Sequence, residues 1–263
     1  MAANILFLYN NLVDSATSLT GSSEATGFLV ENVKHPFRTK VWTTEGATAG
    51  DAYLDIDHGS AKNVDCIALA NYDWVSAPGT LDLYFDDAAD FSSVDHVEAL
   101  TWAANPTANG NRGIIIKYFA TQGYRYNRLR VVYAPGAVPT DWSLGRIFIG
   151  MKFEPTHTCL EKDDIQFIDE SEIMIAPGGQ RHVDEKALFR GKRFSFLAET
   201  QAQWEAFQAM INHVGIFKNL FIAFDYDNEP DEMTWYGYFN KALKASNDRK
   251  TQFKLDFDFI EAT

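Results

Sequence analysis

From Phe253 to Phe259 the chain alternates apolar and polar side chains without a break: Phe253, Leu255, Phe257 and Phe259 against Lys254, Asp256 and Asp258. A period of two sorts these residues onto opposite faces only in an extended strand; a helix would scatter them around its axis. The pattern recurs upstream in Ala52–Asp57, Thr80–Phe85, Tyr126–Tyr133 and Arg193–Ala198. Val64–Ala70 and Gly113–Phe119 are apolar runs of strand length, and residues 4–9, Thr39–Thr44, Leu220–Tyr226 and Thr234–Leu243 also read as strands. Residues 14–27 read as a loop and His58-Gly59-Ser60 as a turn. A chain of this kind closes a core by stacking antiparallel sheets.

One segment departs from the period of two. Trp204, Phe207, Ile211 and Val214 recur at helical spacing, and Gly215 suits the stop. Thr200 is a good N-cap, with Gln203 completing a capping box. The spacing predicts a helix over residues 200–214. The expected fold is therefore mostly β: an antiparallel β-sandwich of jelly-roll type over residues 1–145, then a second β-sandwich with one packed α-helix over residues 146–263. The boundary is expected near residue 150, with Gly145–Phe153 as the strand that crosses it. Trp42, Trp204 and Trp235 lie inside periodic segments and are expected in the core.

The formal net charge of −13 argues against wrapping nucleic acid, which needs Lys/Arg patches. It leaves two readings, solubility alone or an acidic surface that repels DNA passing nearby. No apolar run approaches the roughly 20 residues of a membrane helix. Met1-Ala2-Ala3-Asn4 precedes only a short apolar run, so no signal peptide is expected. Cys66 and Cys159 are expected as free thiols of a protein made in a reducing cell.

Catalysis needs convergent reactive groups, and the sequence offers none. The six His residues form no HExxH or His-x-His pattern, and His157-Thr158-Cys159 is too small a set for a metal. There is no nucleophile elbow and no phosphate-cradling glycine loop. The acidic pairs Asp86-Asp87 and Asp163-Asp164 read as solvated turns and sheet edges, although paired carboxylates can hydrolyse glycosides. No catalytic residue, metal or cofactor is expected. The candidate ligand-binding residues are Tyr72, Asp73 and Trp74, placed in a loop after the strand 64–70, and Trp102, beside the Asn- and Gly-rich loop 103–111. Exposed aromatics beside Asp and Asn bind sugars, and equally serve as anchors for protein contacts.

The first domain resembles the discoidin, or galactose-binding-like, jelly roll. The resemblance runs in order through Gly21–Ala25, Val30-Glu31-Asn32-Val33, Thr39–Thr44, Tyr53–Gly59, Asn63–Leu69 and Tyr126–Val131. The chain departs from that family in lacking the terminal cysteine pair of its secreted members, and in carrying His35-Pro36-Phe37-Arg38 where Asp-Gly is usual. The whole chain is also similar to tail proteins of long-tailed phages, on Asn11-Leu12-Val13-Asp14, the segment from Glu31-Asn32-Val33 to Trp42, and Gly145–Gly150. The second domain, closing on Phe259-Ile260-Glu261-Ala262, resembles the ring-forming, tail-tube-like domain of distal tail proteins. These resemblances imply a non-enzymatic structural component of a phage tail tip or baseplate. Its C-terminal domain would form a homo-oligomeric ring, with the jelly roll displayed for protein or glycan contact. The implied partners are other copies of the chain, the tail tube, tape-measure and hub proteins, and a host surface glycan. Neither specific nucleic-acid binding nor membrane insertion is implied. The implied location is the virion, assembled in the host cytoplasm. The alternative is a carbohydrate-binding adhesin module.

Overall fold

A computed structural model describes residues 5–37, 39–46, 52–72, 79–101, 114–133, 141–156, 160–169, 171–175, 177, 180–184, 188–227, 233–241, 244–249 and 252–262. Among the described residues the protein is mostly β with one α-helix, as the alternation requires. Its contacts divide it into two compact units. The first comprises residues 5–154 and 221–235; the second comprises mainly residues 155–220 and 236–263. The division thus falls between Glu154 and Pro155 instead of at 145/146, and residues 221–235 belong with the first unit.

The first unit holds β1 (Leu6–Leu8), β2 (Ser18–Gly21), β3 (Trp42–Thr43), β4 (Ala52–Tyr72), β5 (Gly79–Asp86), β6 (His96–Leu100), β7 (Ile114–Tyr133) and β8 (Ser143–Gly150). Apart from β1, they hydrogen-bond in the order β3-β8-β4-β7-β5-β6, with β2 also on β4. Two strands dominate. β4 joins the expected strands 52–57 and 64–70, and β7 joins 113–119 and 126–133. The pairing between them shifts register between Asp57 and Lys62 and again between Val64 and Cys66. Such irregularities let a long strand turn a corner and serve both faces of a sandwich. His58-Gly59-Ser60 is therefore a corner inside a strand. Gly59 has φ +75°, and a Cβ there would lie 2.6 Å from Thr17 Oγ1. β8, expected to cross between domains, lies wholly inside this unit beside β3 and β4. The expected loop 14–27 holds β2, and β2 pairs with residues 54–57 of β4.

The core lies between the two halves. Leu54, Ile56, Leu83, Phe85, Leu129 and Val131 meet Ile67, Leu69, Leu144, Ile147, Ile149 and Trp42. The opposite side of the 64–72 segment is also closed, since Cys66, Ala68 and Ala70 are fully buried. There β1 pairs with β13 (Leu220–Ala223), Leu6 to Leu8 opposite Ala223 to Phe221, and Phe221 meets Phe148 edge to face. Burial on both faces explains why this segment reads as a continuous apolar run instead of alternating. Cys66 is a free thiol, and burial raises its pKa above the ordinary thiol value. Cys159 lies outside the described residues.

The three segments that carry the tail-protein resemblance converge in this unit. Arg146 donates to both carboxylate oxygens of Asp14, at 2.6 and 2.7 Å, and to the Val33 carbonyl at 3.1 Å. The Asn11 amide donates to Ile147 O at 2.9 Å, and its carbonyl accepts from Ile149 N at 3.1 Å. Residues far apart in the chain are thereby tied into one polar network, in which Asn11 and Arg146 are buried and Asp14 is exposed.

The second unit contains β9 (Leu160–Asp169), β10 (Glu172–Ile175), β11 (Arg181–Asp184), β12 (Leu188–Ala198), α1 (Gln201–Val214), β14 (Thr234–Phe239, from Tyr236 onward), β15 (Lys244–Arg249) and β16 (Gln252–Glu261). β16, the alternating strand, pairs with β12 on one side and with β14 and β15 on the other. Its apolar face makes the core: Phe257 contacts Phe194, Phe196, Phe207 and Phe239. The helix has the expected capping box, in which Thr200 Oγ1 accepts from Gln203 N at 3.2 Å. Gly215 follows it at φ +58°, and Trp204 stacks on Phe253. Gly191 and Ile260, Arg190 and Glu261 continue the β12–β16 face beyond this core, and Arg190 holds Glu261 through two hydrogen bonds of 2.9 and 3.0 Å.

Candidate functional site

Alternation along β4 and β7 sends Leu54, Ile56, Leu129 and Val131 inward, so Tyr53, Asp55, Asp57, Tyr126, Arg128 and Arg130 must face outward. The pairing aligns them with β5 in rungs. Tyr53 and Asp82 flank Arg130; Asp55 and Tyr84 flank Arg128; Asp57 and Asp86 flank Tyr126. Opposite charges on neighbouring strands stabilise such a face.

Each arginine is held in place. Arg128 forks onto Asp55, its Nη2 donating at 2.8 Å, and its guanidinium lies between the Tyr53 and Phe91 rings at 4.2 and 4.3 Å. Phe91 reaches that position from the β5–β6 connection at φ +51°, a region a bulky residue adopts only when its surroundings hold it there. Arg125 donates to both oxygens of Asp57, at 2.9 and 3.0 Å, and stacks on Tyr126. That hydrogen bonding holds the Asp57 carboxyl below the usual carboxylate range. Arg130 donates to Tyr84 Oη at 3.1 Å, and Thr80 donates to Asp82. The result is a pre-ordered surface of guanidinium, carboxylate and phenol groups. It can stack on and hydrogen-bond a flat polar partner with little ordering cost. Arg128→Lys is expected to cost the unit about 1.5–3 kcal/mol, the worth of hydrogen bonds to a charged group, because an ammonium cannot fork onto Asp55 or lie flat between two rings. Urea denaturation followed by circular dichroism would measure it.

Sequence reasoning placed the ligand residues elsewhere. Tyr72 is the last residue of β4, opposite Leu144, and at 4% exposure it belongs to the core instead of a loop surface. Asp73, Trp74 and Trp102 lie outside the described residues. The sequence signal for the outer face was the polar half of the same alternation whose apolar half marked the core. Of the expected core tryptophans, Trp42 and Trp235 are buried, and Trp204 is half-buried against Phe253. Among the described residues no cluster of His, Cys, Asp and Glu could hold a metal ion, and no helix is long and apolar enough to cross a membrane.

The second unit presents a different surface. β9 hydrogen-bonds only to β12, so it is a sheet edge among the described residues. It exposes Phe167 at 70%. Both strands of the β10–β11 hairpin are exposed, with Ile173 opposite Val183 and Ile175 at 72% exposure. Leu188 and, past the helix, Phe217 are exposed as well. Charge divides the other way. Residues 5–154 and 221–235 hold 22 Asp and Glu against 11 Lys and Arg; residues 155–220 and 236–263 hold 14 against 12.

No family model matches the chain, and no curated protein matches it. Solved structures resemble part of it. A chitosan-binding module of a chitosanase/glucanase from Paenibacillus sp. IK-5 is 18% identical, with 54% of this chain and 99% of that one covered and a TM-score of 0.41. The lectin domain of lectinolysin, solved with Lewis B antigen, is 15% identical over 53% of this chain and 95% of its own, with a TM-score of 0.41. A Streptococcus pneumoniae fucose-binding module is 10% identical over 54% and 98%, with a TM-score of 0.42.

Proposed function

We propose that the protein is a non-catalytic structural subunit that associates with copies of itself through residues 155–220 and 236–263, leaving the jelly roll free to contact other molecules. The observation that carries this reading is the edge strand β9, which exposes Ile165 and Phe167, together with the exposed apolar side chains of the hairpin β10–β11. An unpaired edge with exposed apolar side chains is a pairing surface, and an isolated two-stranded hairpin is marginal without a partner. Charge supports the same arrangement: strongly acidic jelly-roll units repel one another, whereas the near-neutral second unit meets no such barrier. In its finer form the reading is a ring in the tip or baseplate of a long-tailed phage tail. The ring would be assembled in the host cytoplasm beside tube, tape-measure and hub proteins. Sedimentation at tens of micromolar is expected to give an oligomer that Phe167→Lys with Ile175→Lys reduces to monomers. A wild-type protein that is strictly monomeric, and absent from particles, would sink the idea.

A second reading, carbohydrate contact by the jelly roll, is favoured by the outer face, whose tyrosines and forked arginines suit stacking on and hydrogen bonding to sugars. It is compatible with the first. A glycan array should show binding that Arg125→Ala with Tyr84→Ala removes; loss with Trp74→Ala instead would place the ligand at Trp74. No binding to any sugar would count against both places.

A further inference from the structure

The corner shared by the two long strands holds a histidine that the outer face does not use. His58 is 6% exposed and Asn127, on β7, is fully buried. The Asn127 amide nitrogen donates to the Tyr126 carbonyl at 3.1 Å, which turns its Oδ1 toward His58. His58 Nε2 lies 2.7 Å from that oxygen, so Nε2 carries the proton and donates. Nδ1 is then the unprotonated nitrogen. It is buried and has no protein hydrogen-bond partner among the described residues. The neutral ring fits this site; a second proton on Nδ1 would put a cation in the core with no acceptor for its new N–H.

We propose that His58 and Asn127 form a proton-operated latch at the corner of the jelly roll, closed while His58 is neutral and opened when Nδ1 takes a proton from solvent and the imidazolium is driven out to water. The charged and titratable groups around the corner are Asp57 and Lys62 on β4, Tyr124, Arg125 and Tyr126 on β7, and Asp86 and Asp87 at the end of β5. Asp57 attracts the imidazolium, but it is already engaged by Arg125; Lys62 repels it. Burial outweighs these and lowers the His58 pKa below 6.5. The folded form therefore holds fewer protons than the unfolded form as pH falls below 6.5, and the corner weakens from there downward.

The latch has a consequence for the outer face. Asp57, next to His58, accepts from Gly59 N at 2.7 Å at the corner and holds Arg125 on the face. Opening the corner loosens that rung. This consequence rests on the reading of the face as a contact surface; the latch itself is testable without any ligand.

The test is NMR of protein labelled at histidine, with amide hydrogen exchange from pH 7.5 to 5.0. The His58 ring is expected to titrate with a midpoint below 6.5. Protection of the amides at 57–63 and 122–127 is expected to fall by up to roughly tenfold per pH unit between 6.5 and that midpoint. His58→Gln, which keeps a donor but cannot be protonated, should flatten the protection profile. Asn127→Asp, which puts a carboxylate beside the ring, should raise the midpoint in the folded protein and keep the latch closed to lower pH. A wild-type midpoint at or above 6.5, protection that does not change, or an equal fall in His58→Gln would overturn the proposal. If neither variant folds, the wild-type midpoint and protection profile decide it alone.

Discussion

Trp42→Ala is expected to destabilise the jelly-roll unit by about 3–5 kcal/mol, the range for emptying an aromatic site in a close-packed core. Trp42 is fully buried, and its ring meets Trp142 edge to face with centroids 4.8 Å apart. Its Nε1 donates to the Ser23 carbonyl at 2.9 Å. Truncation would therefore leave a cavity between the two sheet halves and an unpaired carbonyl, two costs that add. The site cannot collapse easily. Gly21 lies so close that a Cβ there would sit 2.8 Å from Trp42 Cζ2, and the backbone on that side is already tied by β2–β4 pairing. Guanidinium denaturation followed by far-UV circular dichroism measures the loss. Trp42→Phe should recover much of the packing but not the hydrogen bond. A loss below about 1 kcal/mol for the alanine variant would contradict a close-packed core here.

Arg190→Met is expected to cost the second unit a similar amount, about 3–5 kcal/mol, for a different reason. The Glu261 side chain is 2% exposed and takes both Arg190 hydrogen bonds, whereas Arg190 keeps 26% exposure. Removing the arginine leaves a carboxylate buried without its fork, the expensive half of a broken ion pair. Removing both partners should cost far less, because two apolar side chains can fill the site without any charge to desolvate. The double variant Arg190→Met, Glu261→Met is therefore expected to recover most of the lost stability. A double variant no more stable than the single one would show that the pair acts by packing alone. Both experiments are best read on the intact chain by hydrogen exchange resolved to each unit, since the two units need not unfold together.

These expectations rest on features with unequal visibility in the sequence. The strand at 252–261 and the helix at 201–214 were legible because their signals are local. Apolar residues two apart sort Phe253 to Phe259 onto one face, and a side chain three residues from Thr200 completes its capping box. The mostly β fold class follows from repeating the first signal along the chain. The candidate binding residues were less accessible. Tyr72 reads as the start of a loop because Val64–Ala70 looks like a finished strand, but β4 runs through Tyr72 and buries it.

Local pattern alone determined the alternating strands such as 80–85 and 253–259, their inward and outward faces, and the helix with both its ends; it gave no sign of β2, β6, β9, β10, β11 or β15. Only the tertiary structure decided that 52–57 and 64–72 are one strand bent at His58, that residues 221–235 belong with the first unit, and that Asp55, Tyr84 and Phe91 converge on Arg128. The physical reason is separation along the chain. Asp55 and Arg128 are 73 residues apart, and Asp14 and Arg146 are 132 apart. A period of two tells each residue which face it occupies, but not which strand will lie beside it. That choice is made by the whole core at once, when one register buries Leu54, Ile56, Leu129 and Val131 together and thereby sets the arginines of the outer face against their acids.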